Sequence, residues 1–281
     1  MIKFGPGGNS VSFYETGHKS SLEAPKWLSE IGLNAYEYEC GNGVRITSET
    51  AKKFGEEAAK YGIEVSVHAP YFISLSSEEE EKREKSVGYI LQTLKAAKAM
   101  GAARIVVHPG SCSKRDRKEA FLLACETMKK AVAAAKAEGY GDIYICPETM
   151  GKINQIGTVE EIAEMCKIDE MLMPTIDFGH INARETGSLK TEEDFEKIVT
   201  HMIKELGEER GRKFHVHFSK IEYTKGGEKC HLTFADNVYG PEFEPLAKVL
   251  KKYKVQATII CESAGTMTED ALEMKRIYES M

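Results

Sequence analysis

The sequence predicts one domain over residues 1–281, an α/β fold of the (β/α)8 TIM barrel class, on three observations. Eight short apolar runs, each of strand length, recur along the chain with helical patterns between them. At least six of these runs end on a residue type that binds metal: His68, His108, Glu148, Asp177, His217 and Glu262. A length of 281 residues suits one barrel, which needs roughly 250 residues, better than two small domains. In this fold the active site lies at the C-terminal ends of the strands, where the coordinating residues accumulate here.

The elements follow in order. The first strand is expected at residues 2–4, directly at the start of the chain, with no signal-peptide pattern before it. A helix over 21–31 follows a serine-rich cap, and the second strand spans 35–39. The helix over 47–61 starts at Thr47-Ser48-Glu49-Thr50 and stops before Gly62, as a C-terminal cap requires. After the third strand, 64–68, the helix over 78–100 begins with four glutamates, which suit the positive end of its dipole, and ends at Gly101. The fourth strand is 104–108, its helix 114–138 with Gly139 beyond, and the fifth strand 142–148. A helix over 159–166, a strand over 173–177, a helix over 192–210 and a strand over 213–217 continue the alternation. Residues 219–240 form the longest irregular piece, and loops of that length in a compact domain are usually functional. A helix over 243–253, the eighth strand at 258–262 and a helix over 268–279 complete the chain.

Side chains alternate across a strand, so Glu64 and Ser66 share the face of His68 while Val65 and Val67 point to the helices. The same rule places Val106 with His108, Tyr144 and Cys146 with Glu148, Thr175 with Asp177, and Ile260 with Glu262, so that the candidate ligands all point inward at the barrel mouth. His215 shares the inward parity of His217, either orienting a ligand or resting as an interior histidine. His18 and His201 read as loop and helix-surface residues, Trp27 as helix-to-barrel packing, and the basic run 114–118 as a solvated helix start.

Composition sets bounds. A hydrophobic content of 42% with eight prolines describes a globular core, and no apolar run nears the ~20 residues of a membrane span. The seven cysteines are scattered, odd in number and without a CxxC pair, so they read as reduced thiols in a cytoplasmic protein. A formal charge of −6 argues at first against nucleic acid. Three bound divalent ions would add +6, and −6 + 6 = 0, so net charge discriminates weakly.

Taken singly, a histidine or carboxylate at a strand end is more often structural than a ligand. Convergence reverses this, because a closed barrel brings the strand ends to one axis and unpaired carboxylates crowded there repel. Glu148, Asp177 and Glu262 with several imidazoles make a mixed nitrogen and oxygen set suited to zinc, with manganese as the alternative. His180 lies three residues past Asp177, with Gly179 between them to let the backbone turn, and His231 in the long loop is a further candidate. Eight ligands exceed the needs of one ion. Two or three ions sharing a bridging carboxylate activate water and clamp a phosphoryl group, the logic of phosphodiester cleavage.

The segments His68-Ala69-Pro70-Tyr71-Phe72, Val106-Val107-His108-Pro109-Gly110, Glu148-Thr149-Met150-Gly151, Asp177-Phe178-Gly179-His180, Val216-His217-Phe218-Ser219-Lys220 and Cys261-Glu262-Ser263 resemble, in order and spacing, those of the endonuclease IV family. That family comprises apurinic/apyrimidinic endonucleases with three zinc ions in a (β/α)8 barrel of the xylose-isomerase-like superfamily. The resemblance implies that His68 and His108 hold one zinc and that Glu148 bridges it to a second, held also by Asp177, His217 and Glu262. It implies a third zinc on His180 and His231, with Glu148 and Glu262 as the catalytic carboxylates. The implied partner is duplex DNA with abasic sites, probed in its minor groove by Tyr71 and Phe72 and by Arg45 as an inserted arginine; no membrane and no obligate protein partner is implied.

The chain departs from the family at Lys229-Cys230-His231, where an Asp-x-His pair is normal. Either Glu228, Asp236 or Cys230 supplies the missing ligand, or the third ion is weak or absent. The segment 5–10 lacks the family's histidine-containing opening, and residues 41–43 match poorly. Sugar isomerases and epimerases of the same superfamily, which use a Glu, Asp, His, Glu quartet around one ion, are the alternative reading, with Glu148, Asp177, His217 and Glu262 in that role. A non-enzymatic barrel that binds a small ligand leaves the crowded site idle.

Overall fold

The computed structural model describes residues 2–281. Met1 lies outside the described residues. Eight parallel strands form the barrel: β1 (Lys3–Pro6), β2 (Ala35–Glu39), β3 (Glu64–His68), β4 (Arg104–Val107), β5 (Tyr144–Pro147), β6 (Thr175–Asp177), β7 (Lys213–Phe218) and, after a hairpin, β10 (Gln256–Cys261). They pair as two four-stranded sheets, β2-β3-β4-β5 and β1-β10-β7-β6. Isolated parallel bridges close the two seams, Gly7 to Glu37 beside β1 and β2, and Ile145 to Leu172 and Glu148 to Thr175 beside β5 and β6. The hairpin consists of β8 (Ile221–Thr224) and β9 (Gly227–His231).

Ten α-helices accompany them: α1 (Val11–Glu15), α2 (Ala24–Glu30), α3 (Ser48–Lys60), α4 (Glu80–Met100), α5 (Arg117–Ala137), α6 (Val159–Cys166), α7 (Phe178–Arg184), α8 (Glu192–Arg210), α9 (Phe243–Lys252) and α10 (Met267–Glu279). Their limits are set by local chemistry. Thr47 caps α3 through the Thr50 amide, and Asp116 caps α5 through Lys118 and Glu119, so the basic run is a helix start; Arg115 and Arg117 are taken up by Glu78 and Glu161. Gly62, Gly101 and Gly139 follow α3, α4 and α5 with positive φ, as terminating glycines do. The main core lies between strands and helices, with Val65, Val67, Ile105, Val107, Val216 and Ile259 all buried there. Trp27 packs edge-on to Phe13, and His18 stacks on the same ring.

Two expectations change. The stretch 219–240 is not an irregular loop throughout but carries the β8–β9 hairpin. Nor does the backbone turn at Gly179: α7 starts at once after β6, with the Asp177 carboxylate accepting from the His180 amide. Gly179 is needed for space, since a Cβ there would stand 2.5 Å from the Ser219 carbonyl oxygen. Among the described residues all seven cysteines are free, and no helix is long and apolar enough to cross a membrane.

Candidate metal centre

Five groups of donors lie together, each with its donor atoms within 4.8 Å of one another; three gather residues that the sequence singled out, and the other two, Glu37 with His215 and His217 and Glu37 with Glu39 and Glu262, adjoin them. The first of the three is His68, His108 and Glu148. His68 Nδ1 donates to the Ala69 carbonyl at 2.8 Å, which leaves Nε2 facing Glu148 Oε2 at 3.5 Å; His108 Nε2 lies 3.0 Å from the same oxygen. The second is Glu148, Asp177, His217 and Glu262. His217 Nδ1 stands 3.0 Å from Glu148 Oε1 and 3.4 Å from Glu262 Oε1. Glu148 therefore belongs to both groups, one oxygen toward each.

The third group is His180, Glu228 and His231. His180 Nδ1 donates to the Thr149 carbonyl at 3.0 Å, and its Nε2 lies 3.5 Å from Glu228 Oε2. His231 is held by Ser219 Oγ at 2.9 Å from Nδ1. Lys229 takes no part: it points outward and pairs with Glu222 at 2.6 Å. The reason is a bulge. Cys230 pairs with Glu222 and Glu228 with Tyr223, so Lys229 is one residue too many in β9 and shifts the alternation. Glu228 and His231, three apart, thus face the same group. Of the substitutes considered for the missing aspartate, Glu228 is the one placed there; Cys230 is exposed beside Glu222, and Asp236 caps its own turn through the Val238 and Tyr239 amides.

The electrostatics show a site with more negative charge than its own imidazoles settle. Burial, reinforced by Glu148, Asp177 and Glu39 and opposed by His217, pushes Glu262 up to about 8. Burial also raises Glu39, to about 7. Burial works against the charged forms of Glu148 and His217 as well, but their mutual attraction and their other neighbours hold Glu148 well below the usual carboxylate range and His217 well above the usual imidazole range. Glu148 Oε2 and Asp177 Oδ2 are buried and, although His108 and His180 nitrogens approach them to 3.0 and 3.2 Å, neither has a partner in line for a hydrogen bond, an arrangement that costs free energy unless a cation takes those lone pairs. The donor set fits divalent metal.

Above the donors opens a cavity of about 630 Å³ that takes in His68, His108, Glu148, His180, His231 and Glu262. Tyr71 stands on its rim, 55% exposed, its ring centroid 5.4 Å from that of His108, its hydroxyl donating to Glu39 at 3.3 Å. Phe72 is 51% exposed and turned aside, edge-on to Tyr89. Arg45 is exposed in a shallow cleft next to the same rim.

Sequence reasoning passed over Glu37 and Glu39. Both face inward on β2, Glu37 fully buried between His215 and His217 and Glu39 lining the cavity. The signal was present in Ala35-Tyr36-Glu37-Tyr38-Glu39, where the residues at inward parity are charged and therefore need partners inside.

Fold and site together define a (β/α)8 barrel with clustered candidate metal donors at the C-terminal ends of its strands. The chain belongs to the xylose isomerase-like TIM barrel family, which it matches over residues 25–278. An uncharacterized protein of Methanocaldococcus jannaschii, MJ0133, is 31% identical over the whole of this chain and 98% of its own length. A probable endonuclease 4 of Listeria monocytogenes is 26% identical, over 76% of this chain and 73% of its own. Among solved structures, a D-tagatose 3-epimerase-like protein superposes with a TM-score of 0.70 at 22% identity, covering 91% of this chain and 90% of its own. Endonuclease IV of Thermus thermophilus does so with 0.69 at 22%, covering 94% of each. At such identities these two likenesses speak for the fold.

Proposed function

We propose that the protein is a metal-dependent phosphodiester hydrolase that cleaves duplex DNA at abasic sites, with two or three zinc ions held at the barrel mouth. The observation that carries this reading is that three donor groups, not one, converge there and that Glu148 is shared by two of them. A one-ion sugar epimerase needs only Glu148, Asp177, His217 and Glu262, and leaves His68, His108, His180, Glu228 and His231 without a task.

The ions, when bound, would activate a water and offset charge on a phosphoryl group. His68, His108 and Glu148 would hold one, Glu148, Asp177, His217 and Glu262 another, and His180, Glu228 and His231 the third. The protein's own part is to fix those donors. Hydrogen bonds from His68 to Ala69, from His180 to Thr149 and between His231 and Ser219 hold each ring in one orientation. Tyr71 and Arg45 lie at the rim where a duplex would sit, with Phe72 exposed beside it, so that these aromatics would meet an opened minor groove. The reading extends to a protein that works in the cytoplasm without an obligate protein partner.

Elemental analysis of the purified protein, joined to an assay on a duplex bearing one abasic site, tests it. Two or three zinc ions per chain with strand scission beside the lesion is the expected result. One ion per chain, with interconversion of ketohexoses and no scission, would replace it with the epimerase reading.

A further inference from the structure

Below the donor groups, a polar thread runs through the barrel interior, where bulky branched side chains usually pack. His217 Nε2 lies 2.7 Å from Glu37 Oε1, and His215 Nε2 lies 2.9 Å from Glu37 Oε2. Ser66 donates its hydroxyl to Glu37 Oε2 at 2.6 Å. On the far side, Arg104 Nη1 approaches His215 Nδ1 at 3.3 Å and Glu64 Oε1 at 2.9 Å. Glu37, His215 and His217 are fully buried.

Donor and acceptor chemistry fixes the protons around Glu37 and His215. A guanidinium only donates, so His215 Nδ1 must accept and its proton sits on Nε2, aimed at Glu37. Glu37 then receives His215, Ser66 and His217, and as an acceptor on all sides it is a carboxylate. The Glu37 to His217 contact is close but out of line for a straight hydrogen bond, and neither atom has another partner. The Nε2 proton of His217 therefore has Glu37 as its one recipient, while Nδ1, 3.0 Å from Glu148 and 3.4 Å from Glu262, donates to the Glu148 carboxylate and is the nitrogen a cation would meet on displacing that proton.

We infer that Glu37 is the positioning residue of the centre: it holds the Nε2 N–H of His217 and so turns Nδ1 toward the cation position, and His215, braced by Arg104, keeps Glu37 in place. The inference rests on a cation at the Glu148, Asp177, His217 and Glu262 group, which the hydrolase and epimerase readings share, and not on which reaction follows. Removing a carboxylate that supports a metal-bound histidine typically weakens the site 10- to 100-fold.

The test has two arms. In Glu37→Gln, which keeps shape and loses charge, zinc or cobalt titration should show affinity at the His217 group falling about 10- to 100-fold, with affinity at the His180, Glu228 and His231 group unchanged. Equal loss at both groups, or none at His217, overturns the proposal. Long-range proton–nitrogen spectra of histidine-labelled wild-type protein, taken with chelator, give a second arm that does not depend on the variant folding. His215 should carry its proton on Nε2 alone and His217 should carry a proton on Nε2, whereas an Nε2 without a proton on His217 would overturn the proposal. Wild-type protein that binds no cation at the His217 group, yet shows the expected proton positions, would instead remove the metal reading and leave Glu37 in its positioning role.

Discussion

At the scale of single residues, Glu148 has the most demands on it. It is buried, it lies within reach of His68, His108, His180 and His217, and one of its oxygens is orphaned. Glu148→Ala should therefore remove two cation positions at once and lower activity by at least 10³-fold, with little change in the melting temperature measured in chelator. The gain in melting temperature that zinc gives the wild type should shrink in the variant. Full metal content with near-normal turnover in Glu148→Ala would end the bridging role. Tyr71 presents a second residue-scale case. Its ring lies so close over Gly41 that a Cβ there would come within 2.2 Å of it, so the tyrosine is seated on the rim by backbone, with one face open. A stacked aromatic contributes about 1–3 kcal/mol to holding an unpaired nucleotide. Replacing Tyr71 and Phe72 together by alanine should weaken binding of abasic duplex by about 10- to 100-fold while metal content stays constant. Unchanged affinity in a gel-shift or anisotropy titration would make them packing residues of the rim.

At the scale of elements, the hairpin explains where the sequence could be read and where it could not. Strand ends were legible because period-two alternation and apolar content mark a strand, and a run such as Arg104-Ile105-Val106-Val107-His108 ends in a residue that stands out. The hairpin was not, because Ile221–Thr224 and Gly227–His231 are short and polar and take their stability from docking, with the Glu228 amide donating to the Gly151 carbonyl. Helix α7 was hidden by its brevity and by Gly179, whose purpose is close approach to Ser219. The bulge at Lys229 was beyond reach altogether, since an extra residue is defined only against the strand it pairs with. It decides the outcome of one substitution. Lys229→Asp does not rebuild an Asp-x-His pair, because position 229 faces away from the group, and zinc stoichiometry should not rise. Deleting Lys229 should instead leave a regular ladder with Glu228 and His231 two apart and still on one face, retaining the third ion, whereas Glu228→Ala should lose it. Atomic absorption of the three variants decides this; an ion lost on deletion, with the circular dichroism unchanged, would mean the bulge itself shapes the site.

At the scale of the whole molecule, the barrel separates charge by face: donors for cations collect at the C-terminal ends of the strands, and a paired cluster closes the opposite end. There Glu64 lies 2.7 Å from Lys3 and 2.9 Å from Arg104. Burial opposes ionisation of Glu64, but Arg104, Lys3 and the Thr258 hydroxyl outweigh it and bring its pKa down to about 2. A carboxyl whose pKa is lower folded than unfolded adds stability above the unfolded value, near 4.3, and that contribution is lost as pH falls through the folded value. The side chain keeps 22% of its surface in water, so screening reduces the effect to about 1 kcal/mol. Glu64→Gln should thus be less stable than wild type by about that amount from pH 5 to 7, and the two denaturation curves should converge between about pH 4 and pH 2. A gap that stayed constant down to pH 2 would show that the glutamine is lost packing rather than lost charge, and the base of the barrel would then owe nothing to its ion pairs.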